Sequence, residues 1–304
     1  MVGPAWSPDG KWIAWSQAHS GIWIAKPDGA RARRITGEID ALGPFVWLPD
    51  DRLVYWANFR LFLLTREGRS TLFSKSGGGS DHSLDRRGTL IASGDPGCST
   101  GCDGGIVVQK LNGMVVRRMS EGAQSIGPLL SPGGTKVVFS RSLCDTNGRC
   151  ERPAGVWIGV VETGRLRRLT LRGCCASWSP DGTKIAYVDQ FFAGRAGDAS
   201  LRIIPAGGGA SHRLITGFGD TFGVPVWSPD SRRVAVTADD YRQLVIVDLV
   251  TRQHDSFVGI VTGFVWSPDS SELLVSARPS DRTCSSLWFV DARTTKARLF
   301  RRCD

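Results

Sequence analysis

A chain of 304 residues and 32.9 kDa buries roughly three quarters of its unfolded surface when it folds as one unit, which excludes disorder, collagen and small disulfide scaffolds. With 41% hydrophobic and 22% charged residues, 37 Gly, 11 Trp and only 3 Met, the composition favours short strands and turns over long helices. The formal charge is +9, from 38 basic and 29 acidic side chains. No run reaches the ~18 apolar residues of a membrane span; Leu244 to Val250 is short and contains Asp248. Pro4, Asp9 and Lys11 interrupt the start before a secretory apolar region forms, so no signal peptide is expected.

In chain order, the first element is a short strand running into Ala5-Trp-Ser-Pro-Asp-Gly10. The segment returns as Val46-Trp-Leu-Pro-Asp-Asp51, Ser177-Trp-Ser-Pro-Asp-Gly182, Val226-Trp-Ser-Pro-Asp-Ser231 and Val265-Trp-Ser-Pro-Asp-Ser270, with decayed copies at Leu84 to Gly88 and Leu130 to Gly134. The turn positions are spaced by 41, 37, 46, 48, 49 and 39 residues, the period of propeller blades. Pro presets φ, Asp can cap the local backbone and Gly accepts a positive φ, so each copy predicts a tight hairpin turn.

A second strand follows each turn (Trp12 to Trp15, Leu53 to Tyr55, Ile185 to Tyr187 and their counterparts), and a loop leads to a third, such as Val156 to Val160. A fourth closes the unit, as in Arg33-Arg-Ile-Thr36 and Arg167-Arg-Leu-Thr170. Seven such units predict an all-β fold, a seven-bladed β-propeller of four-stranded antiparallel blades, in a single domain over 1–304 with repeats near 1–43, 44–80, 81–127, 128–175, 176–223, 224–263 and 264–304. Each repeat coincides with one blade, so closure needs a fastener other than a shared strand. The repeated Trp6, Trp47, Trp178, Trp227 and Trp266 are expected between blades, and Asp9, Asp50, Asp181, Asp230 and Asp269 on their turns. Arginines of the outermost strands, among them Arg33, Arg117 and Arg167, are expected to deter edge-to-edge pairing.

The Trp-Ser-Pro-Asp-Gly motif, the Ile-Ala strand after it and the terminal Arg-Arg-Leu-Thr resemble the repeats of TolB-like and WD-like propellers, which also occur in prolyl oligopeptidase-like peptidases. The resemblance spans essentially the whole chain. It implies a docking role in the bacterial envelope, whereas the repeat itself serves many functions.

The eight cysteines divide by position. Cys98 with Cys102, Cys144 with Cys150, and Cys284 with Cys303 are placed for disulfides, and adjacent Cys174 and Cys175 for a strained vicinal bridge or a pair of thiols. The paired spacing favours an oxidising compartment, periplasmic or secreted; free thiols and a zinc site formed by Cys98, Cys102, Cys144 and Cys150 are the alternatives.

Loops between second and third strands emerge on the same face as the blade-to-blade links, and the long insertions belong to this set. The face offers Asp95 and Asp103; Arg141, Asp145 and Arg152; Asp189, Phe191, Phe192 and Arg195; Asp220 and Phe222; and Asp239, Asp240 and Tyr241 as ligand-binding candidates. Gly97-Cys-Ser-Thr-Gly101 lacks the strand and helix of a nucleophile elbow, and His19, His82, His212 and His254 fall in different repeats. Neither metal nor cofactor is therefore expected, and no catalytic residue is assigned. The leading expectation is a monomeric, non-enzymatic exported propeller that docks a protein, peptide or glycan and no nucleic acid. A lyase or hydrolase using Asp189, Asp239 and Asp240 is the alternative, and a substrate-gating propeller of a peptidase a third reading.

Overall fold

The computed structural model describes residues 2–17, 20–37, 42–57, 60–74, 82–94, 105–119, 124–143, 152–189, 199–217, 223–278 and 284–302. Its 28 strands form seven four-stranded sheets, each with its strands in sequence order, and neighbouring strands pair antiparallel. The fold is a seven-bladed β-propeller. Among the described residues there is no helix, hence none able to cross a membrane. By contacts the chain forms two compact units, Met1–Lys75 with Ser228–Asp304, and Ser76–Trp227.

The turns repeat one hydrogen-bond circuit. Ser7, Ser179, Ser228 and Ser267 each donate through Oγ to the Asp two residues on, at 2.7, 2.5, 2.5 and 2.6 Å. Each also accepts the N–H five residues on, from Trp12, Lys184, Arg233 and Glu272, at 2.9 to 3.1 Å. The Asp caps the backbone as its position suggests, and the Ser, whose role the motif alone did not disclose, closes the strand pair. In blade 3 Asp85 does the same work, accepting from the N–H groups of Thr89 and Leu90. Gly10 and Gly182 take positive φ in these turns; where the repeat lacks Gly, Asp51, Ser231 and Ser270 are driven into the same left-handed region, at about 1 kcal/mol each.

These circuits carry a pH dependence. The Ser7 hydroxyl first, then the Lys11 N–H, holds the Asp9 carboxyl down from 3.8 to about 2, and Asp181 and Asp269 are lowered by Ser179 and Ser267 in the same way. A depressed folded-state value stabilises the fold above the unfolded value, and the contribution disappears as pH falls through the folded one. Denaturant midpoints should therefore drop as pH is lowered from about 4 to about 2. Asp9→Asn should remove part of that drop; an unchanged acid profile in the variant would contradict the assignment.

Blades meet through apolar clusters. In the second unit, Val138, Val156 and Ile158 of blade 4 pack with Ala176, Trp178 and Tyr187 of blade 5. There the Trp178 and Trp227 indoles also reach back to the preceding blade, donating to Leu129 O at 3.0 Å and Ser177 O at 3.3 Å. In the first unit, blade 1 packs directly on blade 7: Ile13, Trp15 and Ala25 join Leu274, Leu287 and Phe289, flanked by Trp6, Trp23 and Phe300. This aromatic junction is the fastener that the end-to-end repeat register requires.

The outer-strand arginines do more than the edge protection expected of them. Arg33 donates to Arg66 O at 2.7 Å, Arg117 to Val161 O at 3.1 Å and to Glu162 O, and Arg167 to Ala206 O and Gly207 O at 2.9 and 3.1 Å. In each case a fourth-strand guanidinium clips the turn between the third and fourth strands of the next blade. A five-donor planar fork suits unpaired turn carbonyls, which explains the choice of Arg over Lys.

Candidate functional site

In blade 5, Arg172-Gly-Cys-Cys175 leads into the first strand, Cys174–Trp178, which pairs with Lys184–Asp189 so that Cys174 faces Val188. The third strand starts at Ser200, opposite Asp189. Antiparallel pairing thus gathers Arg172, the two cysteines and Asp189 at the end of the sheet opposite the Ser-Pro-Asp turn. Asp189 is only 9% exposed. Its Oδ1 lies 2.7 Å from Arg172 Nε and its Oδ2 lies 3.8 Å from Arg202 Nε. Arg202 is further tied to Ser211 Oγ at 3.0 Å, whereas the Arg172 side chain is 60% exposed. A buried carboxylate therefore orients a guanidinium that still meets solvent, an arrangement suited to a substrate carboxylate or a developing oxyanion.

The backbone of Arg172 is held by a device that recurs in blade 1. Gly155, at the register shift of the strand Arg152–Val160, takes φ +84, Val156 N–H donates to Thr170 Oγ1 at 2.9 Å, and that hydroxyl donates to Arg172 O at 2.8 Å. Gly21, Ile22 and Thr36 repeat the first two parts, with φ +87 and 2.8 Å. A Cβ on Gly155 would overlap Thr170 O and stand 3.0 Å from Arg172 N.

Cys174 and Cys175 are thiols, with Sγ atoms 2.7 Å apart, so of the two states expected for the pair the structure has the thiols and not the vicinal bridge. The Cys175 contact first, then burial, pushes the Cys174 thiol well up. Cys284 is disulfide-bonded; Cys303, expected as its partner, lies outside the described residues, as do Cys98, Cys102, Cys144 and Cys150.

The remaining candidates separate. Arg141 pairs in register with Gly155 and is half-buried, its guanidinium 4.7 Å above the Trp157 ring and its pKa lowered by burial. Arg152 begins the strand Arg152–Val160. Asp239, Asp240 and Tyr241 form one turn in the first unit, all three left-handed at φ 52, 50 and 65, with Tyr241 O accepting from Val261 N–H at 2.7 Å. Three successive non-Gly residues in that region store strain of the kind found at functional turns. Asp95, Asp103, Asp145, Phe191, Phe192, Arg195, Asp220 and Phe222 lie outside the described residues.

Sequence reasoning passed over Arg172 and Arg202, although the link carrying Arg172 emerges beside the Asp189 loop by blade topology. It also passed over a cavity of about 390 Å³ at the blade 1 and 2 turns, lined by Trp12, Arg31, Arg33, Arg66 and Glu67. Among the described residues no group of three or more His, Cys, Asp and Glu side chains could hold a metal ion.

No family model matches the chain. In sequence it is 28% identical over 150 residues to an uncharacterized peptidase, YuxL, of Bacillus subtilis, covering 48% of this chain and 22% of that protein. It is 30% identical over 137 residues to dipeptidyl-peptidase 5 of Porphyromonas gingivalis, covering 40% and 20%. The chain thus spans about a fifth of the length of the curated relatives it matches. In structure it resembles an oligogalacturonate lyase solved in complex with manganese, with TM-score 0.75 and 12% identity over 95% of this chain and 88% of that one. A TolB from Agrobacterium tumefaciens aligns with TM-score 0.57 and 16% identity over 91% and 90%. The TolB likeness agrees with the propeller resemblance read from the repeats. The likeness to lyases and peptidases overturns the expectation of a non-enzymatic docking propeller. That expectation rested on the TolB-like resemblance, the paired cysteines and the lack of a catalytic constellation in the sequence.

Proposed function

We propose that the chain is an enzymatic propeller, a lyase or hydrolase, that grips a carboxylate of its substrate at the end of blade 5. The observation that carries this reading is Arg172, anchored on buried Asp189 yet open to solvent. Asp189 acts as a positioning residue: it fixes the guanidinium, and Arg202 completes its charge balance. In a lyase the guanidinium would neutralise the carboxylate beside the carbon that loses a proton; in a hydrolase it would stabilise the oxyanion. The peptidase and lyase likenesses support the class, with the carboxylate preference resting on Arg172 alone.

The test is turnover of oligouronates, acidic peptides and neutral esters, followed by release of unsaturated products and of new amine and acid groups. Turnover of a carboxylated substrate is expected; none by the product of the complete natural gene would overturn the reading. The match to a fifth of two peptidases favours a second form, in which the chain is the propeller portion of a longer peptidase. Labelling of the complete gene product by a fluorophosphonate, on a serine outside this chain, would support that form, and its absence would remove it.

A further inference from the structure

We propose that Cys174 and Cys175 form a reversible dithiol–disulfide couple, oxidised by a small-molecule disulfide such as oxidised glutathione. The geometry brings the sulfurs into contact, 2.7 Å apart. The local backbone is already shaped for two adjacent side chains to meet. Gly173 and Cys175 have φ +104 and +57, and the pairing with the second strand shifts register between Cys174 and Ser177. Cys175 N–H donates to Ser140 Oγ at 3.2 Å, which fixes that residue on the neighbouring blade. Gly173 cannot relax into an ordinary side-chain-bearing position, since a Cβ there would lie 2.7 Å from Val188 O.

The two thiols are unequal. Cys174 is buried, 6% exposed, and Cys175 is half-buried, so an incoming disulfide meets Cys175 first. The contact between them and the burial of Cys174 keep the proton on Cys174, which leaves Cys175 as the attacking sulfur.

The Cys175 thiolate attacks one sulfur of the oxidant, its S–S bond breaks, and one small thiol leaves with a mixed disulfide on Cys175. Cys174 then loses its proton and attacks the Cys175 sulfur, and the second small thiol leaves. The protein loses two electrons and two protons, and the oxidant is reduced to two thiols. Adjacent Cα atoms are about 3.8 Å apart across a trans peptide, below the usual separation for a disulfide. The ring is consequently strained and easily reopened, as in labile and regulatory disulfides.

Trypsin cleavage after Arg172 and Lys184 isolates both cysteines, and no other, in peptide 173–184. After incubation of the intact protein with oxidised glutathione, acid quench and alkylation, that peptide should be lighter by two hydrogens and unalkylated. Prior treatment with a reductant should restore two alkylation sites. A peptide that keeps glutathione, or that takes two alkyl groups without reduction, would overturn the proposal. Cys174→Ser, lacking the second thiol, should stop at a stable glutathione adduct on Cys175; no adduct there would refute Cys175 as the attacking sulfur.

Discussion

Trp15→Ala should destabilise the protein by about 3 to 5 kcal/mol, a large share of the roughly 5 to 15 kcal/mol that holds a domain folded. Trp15 is fully buried. It stacks on Trp23 at 6.4 Å and meets Phe300 edge-on at 6.0 Å, and Phe300 in turn meets Phe289 at 5.2 Å. Truncation leaves a cavity between blades 1 and 7, where packing replaces the strand exchange that other closures could use. The rigid rings on both sides cannot collapse into the gap, which places the cost toward the upper end. Urea denaturation checks this, with Trp15→Phe expected to recover most of the loss. A midpoint for Trp15→Ala within error of the parent would mean that the junction does not fasten the ends.

Gly155→Ala should cost about 2 to 5 kcal/mol, from a left-handed alanine and from overlap with a packed backbone. The overlap is with Thr170 O and the Arg172 N–H region, so the displacement runs directly into the segment that positions Arg172. Gly133→Ala is the control, because a Cβ there meets nothing within 4 Å. The expected result is a lowered denaturant midpoint for Gly155→Ala only, together with faster amide hydrogen exchange at Val156, whose N–H is held by Thr170 Oγ1. Equal midpoints for the two variants would contradict the proposed role of the glycine.

The difference between what could be read from the chain and what could not follows the range of the interactions. Trp-Ser-Pro-Asp-Gly announces a turn because its chemistry is closed within six residues, and its repetition delivers the propeller. The third strands, expected from Val156 and Leu201 and observed from Arg152 and Ser200, are similarly legible from their apolar runs. The aromatic junction of Trp15 with Phe289 and Phe300 spans nearly the whole chain length, and only the folded order of the blades brings it together. Asp189 could be picked out as a carboxylate at a strand end. Its partners could not, since Arg172 precedes it by a hairpin and Arg202 lies on the next strand of the blade. Arg33, Arg117 and Arg167 show the same limit: on the sequence they are edge charges, and in the fold they clip the next blade.

The most direct test is the ratio of kcat/KM for a carboxylated substrate to that for its neutral amide, measured for the parent and for Asp189→Asn with folding verified by circular dichroism. A charge-assisted contact of about 1.5 to 3 kcal/mol corresponds to roughly ten- to hundredfold in rate. Asp189→Asn should lower the ratio by that factor, with the amide turned over at nearly the parental rate. A ratio unchanged by the substitution would contradict the carboxylate grip of Arg172 on which the proposed function rests.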